Sequence, residues 1–399
     1  MIPVSNRASS IEYAIRDVVV PATKLESEGH KIIKLNIGDP IAYPGLPTPP
    51  HMVAAFQKGL GDGRNGYSPS YGLPSLRKAI SENETSKGWE CSPGDVYVCH
   101  GVTEALQIIF AATLQEGDKV LAPGPHYPPY MAYPQMYGAT TIEYGLKSND
   151  SWSIDLDDIE SKMDDSVKLL VLINPNNPTG NVASKEEIES LLKIARKWPN
   201  CMVIADEIYD GLDFTGKQVS VASCSEDVPV FSLNGVSKVY YAPGWRIGYM
   251  AIHDPKNKLA SVRDGVERLL RSRLCASTPA QLGYIAGLLE DKSWMEEYKS
   301  RVDSRRRLCL ERISKINGLE VEEPGGAFYM FVRLNDKKWQ NNDKEFVLNL
   351  LHEEHVLVVH GSGFSKEKGA GHFRLVYLAD EDTLNTAFDR IESFLARHK

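Results

Sequence analysis

Asn234-Gly235-Val236-Ser237-Lys238-Val239-Tyr240-Tyr241-Ala242-Pro243-Gly244-Trp245-Arg246-Ile247-Gly248-Tyr249 sets two cations in unusual company. A lysine taken singly is most simply a solvated surface charge. Lys238 differs because the apolar run Val228-Pro229-Val230-Phe231-Ser232-Leu233 precedes it and reads as a buried strand that delivers it to a sheet end. Arg246 stands between Gly244 and Gly248, where backbone can come close to a ligand. A lysine in a crowded, partly desolvated place loses basicity and becomes a usable amine nucleophile. An arginine beside it suits a phosphate.

Outward from this stretch, residues 96–250 alternate short apolar runs with helical stretches. Val96-Tyr97-Val98-Cys99 leads to a helix expected over 103–114, and Lys119-Val120-Leu121-Ala122 to a segment near 129–137. Lys168-Leu169-Leu170-Val171-Leu172-Ile173 precedes a helix opened by Ser184 and Glu187, the spacing of a capping box. Cys201-Met202-Val203-Ile204-Ala205 and the run before Lys238 complete the series. Strands that do not alternate, separated by helices, imply an α/β fold with a mostly parallel sheet covered on both faces.

The flanks read differently. After helices expected near 255–273 and 279–316, apolar runs at 327–332, 356–359 and 373–376 suggest a smaller α/β unit, joined in space by the N-terminal segment. That segment should carry an amphipathic helix over 9–25, stopped by Pro21 or soon after, and a short strand within 31–40. Residues 44–74, rich in Pro and Gly and carrying Tyr67 and Tyr71, form a long loop broken by one helix near 52–59. Such loops tend to be functional. The domain boundaries expected are 1–48 for an N-terminal arm contributing to the small unit, 49–280 for the large domain and 281–399 for the small one.

Composition narrows the classes. The chain has 399 residues, 42% hydrophobic and 25% charged, with a net charge of −8 and no long basic block, which argues against nucleic-acid and acidic-membrane partners. Six scattered cysteines without a CxxC pair read as reduced thiols, and no apolar run approaches the length of a membrane span. The expectation is a cytoplasmic enzyme with no signal peptide.

Other strand ends carry chemistry. His100-Gly101-Val102-Thr103 opens a helix whose free N–H groups suit a phosphate, although an ordinary helix cap explains it equally well. Asn177 lies in a turn directly after the strand ending at Ile173, and Asp206 and Tyr209 follow the next strand. A carboxylate beside a buried strand needs a partner, and a protonated pyridine nitrogen would be one. Tyr127 could stack on such a ring or simply pack in the core. One lysine to hold a carbonyl carbon and one arginine to hold a phosphate are what pyridoxal 5'-phosphate requires.

With these residues in view, the chain resembles the fold-type I pyridoxal-phosphate aminotransferases of the aspartate aminotransferase superfamily. Within it the chain is most similar to alanine aminotransferases of the archaeal and bacterial type. The resemblance runs from about residue 11 to 391 and rests on several stretches. These are Asn36-Ile37-Gly38-Asp39-Pro40, Pro125-His126-Tyr127-Pro128-Pro129-Tyr130, residues 174–180, Asp206-Glu207-Ile208-Tyr209-Asp210, residues 237–249, His360-Gly361-Ser362-Gly363-Phe364 and His372-Phe373-Arg374. It implies a large domain with a mostly parallel seven-stranded sheet between helices, plus a smaller α/β C-terminal domain. It also implies roles. Lys238 would carry the cofactor and shuttle a proton, Asp206 would keep the ring nitrogen protonated, and Tyr209 and Asn177 would bond the phenolic oxygen. Val102, Thr103, Arg246 and Ser237 would hold the phosphate, with Gly235 standing where many relatives have a serine three places before the lysine. Tyr67 would reach the phosphate of the neighbouring subunit, which implies a homodimer with the site at its interface. Arg374 would grip the substrate carboxylate beside Gly38 and Asn177.

The expected reaction is ping-pong transamination between an amino acid and a 2-oxo acid, with L-alanine and 2-oxoglutarate giving pyruvate and L-glutamate. Aspartate, aromatic or kynurenine-type donors are the alternatives, and a C–S β-lyase of the same fold is a remoter one. A regulator built on this fold would need a helix-turn-helix domain ahead of residue 9. No metal is expected: His352-Glu353-Glu354-His355 spaces its histidines three apart, not four, and reads as a solvated helix end. Gly361-Ser362-Gly363 lacks the third glycine of a dinucleotide fingerprint, with Lys366 in its place. Arg305-Arg306-Arg307 reads as an exposed helical face.

Overall fold

The computed structural model describes residues 4–9 and 18–398. Its first strand, β1 (Ile33–Lys34), is short. Then come β2 (Val96–Cys99), β3 (Lys119–Gly124), β4 (Thr140–Lys147), β5 (Ser153–Ile154), β6 (Val167–Ile173), β7 (Met202–Asp206), β8 (Val230–Gly235) and β9 (Gly248–His253). The eight strands β2 to β9 form one sheet in the order β2-β9-β8-β7-β6-β3-β4-β5, with parallel pairing from β8 through β7, β6 and β3 to β4. Only β9 and β5 run against the rest. β5, two residues at the edge, adds an eighth strand to the seven expected, too short to leave a pattern in the sequence.

The reason for the non-alternating strands is visible in β6. Leu169, Val171 and Ile173 enter one core while Leu170 and Leu172 enter another, so both faces are buried. On one face helix Gly101–Thr113 packs against β8 and β9, with Ala260–Arg273 over it; on the other, Thr278–Leu289 packs against Pro50–Gly61 and Pro74–Thr85.

The C-terminal part has its own antiparallel sheet, in the order β10 (Leu319–Val321), β11 (Tyr329–Leu334), β14 (His372–Val376) and β13 (Val359–His360). β1 pairs in parallel with β12 (Val356–Leu357), and the amide of Val376 donates to the carbonyl of Leu35 at 2.9 Å, so the N-terminal segment joins this part in space.

Three expectations change. Part of the helix expected over 9–25 lies at 10–17, outside the described residues; Val19–Ser27 is helical and runs through Pro21, which sits in its first turn, where no helical N–H is required. The single helix expected over 279–316 is two, Thr278–Leu289 and Ser293–Lys315, and the first amide of the second, that of Ser293, donates to the Asp291 carboxylate (2.9 Å). Of the three arginines read as exposed, Arg305 and Arg306 are buried. Arg305 donates to the carbonyls of Leu378 and Pro44, and Arg306 to Asp303 (2.7 Å), Glu323 (2.6 Å) and the Pro324 carbonyl. Loop carbonyls that the helix covers recruited these side chains. Periodicity alone does not register that demand.

Candidate active site

Parallel strands bring their carboxyl ends to one edge, and the expected residues gather there. Asn177 follows β6, Asp206 ends β7, and Ser237 and Lys238 follow β8. β9 runs the other way, so its first residue, Gly248, also meets this edge, with Arg246 just before it. Gly38, Val102, Thr103, Tyr127, Asn177 and Asp206 line one cavity of about 300 Å³; so do Tyr209, Ser237, Lys238, Arg246 and Arg374.

The cavity floor holds two groups of opposed charge. Asp206 is buried and accepts from the Tyr130 hydroxyl at 2.8 Å and from the Ile208 amide at 3.3 Å. Burial pushes its carboxyl up to about 6, against the pull of those two donors. Lys238 donates to the Gly38 carbonyl at 2.7 Å. Burial, and then the nearby Arg374 guanidinium, bring its ammonium down to about 8. An amine so poised is deprotonated in a useful fraction of molecules near neutral pH. The Tyr209 hydroxyl lies 2.8 Å from that of Tyr329, and burial pushes the Tyr209 phenol well up.

On the opposite wall Arg374 projects from β14, the strand of the small sheet that pairs with both β11 and β13. One terminal nitrogen donates to Asn177 Oδ1 (2.9 Å) and the other to the Asn36 carbonyl (2.6 Å), while the guanidinium packs 4.5 Å from the Tyr329 ring centre and 4.7 Å from that of Phe364. Its Nε and both side-chain polar atoms of Asn36 are buried without a hydrogen-bond partner among the described residues. Buried donors in a native fold are normally satisfied, so Arg374 Nε and Asn36 Nδ2 suit an incoming acceptor such as a carboxylate, while Asn36 Oδ1 remains an acceptor. Gly38 belongs here for a steric reason: a side chain there would collide with the Tyr329 hydroxyl.

The remaining end suits a compact anion. Helix Gly101–Thr113 presents its first amides at Val102 and Thr103, beside Ser237 and Arg246. Gly101 has φ +75°, and a Cβ on it would stand 2.6 Å from the Arg246 guanidinium. Arg246 is itself left-handed, at φ 54° and ψ 46°, a conformation rare for a non-glycine residue, and bonds the carbonyls of Pro243 (3.0 Å) and His100 (3.4 Å).

Tyr67 is not brought into this cavity. It is 84% exposed and lies near His100 and Thr278. Sequence reasoning assigned no role to Tyr130, Tyr329 or Asn36, the partners of Asp206, Tyr209 and Arg374. Tyr130 and Asn36 sat inside stretches that carried the family resemblance, which was the one available signal. Tyr329 looked like any strand aromatic.

The family model "Aminotransferase class I and II" matches residues 30–391. A Haemophilus influenzae protein named glutamate-pyruvate aminotransferase AlaA is 36% identical, the match covering 100% of this chain and 99% of that protein. A solved structure of an alanine aminotransferase from Pyrococcus furiosus is 48% identical and superposes with a TM-score of 0.96, covering 99% of this chain and 100% of that one. An aspartate aminotransferase from Thermus thermophilus with maleate is 27% identical, with a TM-score of 0.89 over 98% of this chain and 100% of that one.

Proposed function

The chain belongs to the class I and II aminotransferase family, and on that premise we propose that it uses pyridoxal 5'-phosphate to exchange an amino group between L-alanine and 2-oxoglutarate, yielding pyruvate and L-glutamate. The observation that carries the reading is the convergence of Lys238, Asp206 and Arg374 on one cavity, from two different sheets. The choice of alanine and glutamate is supported by the names of the similar H. influenzae and P. furiosus proteins.

The residues fit the cofactor. Asp206 is a buried carboxylate in want of a cation, which a protonated pyridine nitrogen supplies. The Val102 and Thr103 amides, Ser237 and Arg246 offer donors to a phosphate at a spot where Gly101 leaves space. When bound, pyridoxal 5'-phosphate supplies an electron sink that stabilises negative charge developing at the substrate Cα.

The chain's own groups do the rest. Lys238 Nζ, kept partly unprotonated by burial, would hold the cofactor and, once freed by substrate, would take the proton from the substrate Cα and give it back on the far side of the substrate nitrogen. Asp206 would retain positive charge on the ring nitrogen, with the Tyr130 hydroxyl favouring the ionised carboxylate and aiming it. Tyr209 and Asn177, which line the cavity, would bond the phenolic oxygen, and Tyr127 would pack on the ring. Arg374 holds the α-carboxylate in a fork, with its partners Asn177 and Asn36 fixing the guanidinium plane. The C-terminal sheet lines the cavity with Arg374 and Tyr329. Tyr67, far exposed on its own subunit, would complete the phosphate site of a second copy, making the working unit a homodimer.

A half-reaction tests the assignment. Protein saturated with cofactor is mixed with single amino acids in the absence of any oxo acid, and the visible absorption is followed. Rapid bleaching by L-alanine and L-glutamate, and little by aspartate or tyrosine, is expected. Bleaching chiefly by aspartate or tyrosine would keep the reaction class and overturn the substrate pair.

A further inference from the structure

Next to Asp206, but outside the cavity, lies a second group of ionisable side chains. Successive residues of an extended chain point to opposite faces, so Glu207 leaves β7 on the side away from its neighbour Asp206. Glu207 and Glu84 are sealed from solvent, at 1% and 0% exposure. Between them stands Lys87, whose ammonium lies 2.6 Å from Glu84, 2.7 Å from Asp210 and 4.0 Å from Glu207. Neutral donors complete the cluster. Tyr249 donates to Glu84 (2.6 Å), the Val221 amide to Glu207 (2.8 Å), Ser220 to Glu207 (3.2 Å), and Ser232 reaches both acids at 3.2 and 3.4 Å.

The pentapeptide Asp206–Asp210 is thus held from two sides. Asp206 and Tyr209 line the cavity, whereas Glu207 and Asp210 turn to Lys87, and the Asp210 amide donates to the Glu207 carbonyl at 2.9 Å. We propose that Glu207 is a positioning residue for the Asp206 carboxylate and the Tyr209 hydroxyl, anchoring the strand end from behind through Val221, Ser220 and Ser232. The inference rests on the reading of Asp206 and Tyr209 as cofactor-holding groups.

Its charge state matters. Three carboxylates share one ammonium; Asp210 is 31% exposed, but Glu84 and Glu207 are sealed from water, and two buried acids beside a single ammonium cannot both ionise cheaply. Burial pushes the Glu207 carboxyl up to about 8, opposed by Lys87 and assisted by Glu84 and Asp210. Lys87 stays charged: burial opposes it, but Asp210, Glu84 and Glu207 lift it well above its ordinary range. The other groups facing the cluster do not take over the proton. Burial raises the phenols of Tyr240, Tyr249 and Tyr284 and the thiols of Cys91 and Cys224, keeping them neutral. Lys292, lowered by burial and by Lys87, donates to Asn83 (3.3 Å) instead. The raised carboxyl lets Glu207 anchor as a neutral acid below about 8, and its ionisation in alkaline solution would loosen the strand end.

The test compares wild type with Glu207→Gln, which mimics the neutral acid and cannot titrate. Apo protein is titrated with pyridoxal 5'-phosphate from pH 7 to 9.5, reading the dissociation constant from visible absorption, and the melting temperature of each apo protein is taken from pH 5 to 9. At pH 7 the two dissociation constants should agree within about twofold, and by pH 9.5 wild type should bind at least about threefold more weakly than the variant. Wild-type melting should also fall more steeply with pH, because a folded-state value raised above 4.5 makes the folded form hold the extra proton up to about 8. Glu207→Ala should weaken cofactor binding by about tenfold or more and shift the pH midpoint of the visible band, with Gln restoring both. A ratio of dissociation constants flat with pH, or a Gln variant that binds poorly at pH 7, would overturn the proposal even if the Ala variant does not fold. Wild type that develops no visible band would instead overturn the cofactor reading itself.

Discussion

The Tyr130 hydroxyl donates a 2.8 Å hydrogen bond to the carboxylate of Asp206, wholly within the protein interior. Among the described residues it is the one side chain that offsets the desolvation of that acid with a hydrogen bond, so it helps decide whether Asp206 is ionised. Tyr130→Phe should raise the Asp206 value further and weaken pyridoxal 5'-phosphate binding by roughly tenfold or more, the worth of a hydrogen bond to a charged group. Apo-protein titration at neutral pH measures it; unchanged affinity would remove Tyr130 from the site's workings.

Asp206 itself should show in the pH dependence of the apo protein. Its folded-state value is raised from 3.8 to about 6, so the folded form binds the proton more tightly than the unfolded one. That stabilisation is fully present below the unfolded value and is lost as pH rises through about 6. Asp206→Asn cannot titrate, so its melting temperature should fall less than that of wild type between roughly pH 4 and 7. Parallel curves would contradict the shift.

Arg374→Lys keeps the charge but loses the fork that Asn177 and the Asn36 carbonyl orient. The substitution should lower kcat/KM for amino acids and oxo acids by roughly 30-fold or more, from the loss of a bidentate pair. Cofactor affinity should hardly move. Equal loss of both would place Arg374 elsewhere in the mechanism.

Gly101→Ala forces a side chain onto a backbone at φ +75° and against the Arg246 guanidinium. The strain costs about 1–3 kcal/mol. The displaced arginine should weaken inorganic phosphate and cofactor binding together, more than it slows turnover at saturating cofactor. Calorimetric titration with phosphate would show whether the anion end is where Gly101 places it.

Tyr67 stands 84% exposed. If it serves the neighbouring site, Tyr67→Phe mixed with Lys238→Ala should regain activity in the hybrid dimer, where one site has both wild-type groups. No gain from refolding the two together would mean that Tyr67 acts within its own subunit or not at all.

What the sequence determined is local. A buried run that gives way to a polar turn marks a strand's carboxyl end, so the places of Asp206, at such an end, and of Lys238 and Asn177, in the turns just beyond, could be read from the neighbouring sequence. Parallel pairing followed from strands apolar on both faces, as β6 shows by dividing its side chains between two cores. What only the tertiary structure decided is which distant chains answer those residues. Tyr130 reaches Asp206 across 76 positions and Arg374 reaches the Asn36 carbonyl across 338, and no periodicity encodes a partner so far away. The same reason hid the burial of Arg305 and the Glu207–Lys87 cluster: a charged residue in a helical or strand pattern reads as solvated until a second segment folds over it and supplies its counter-charge or its carbonyl.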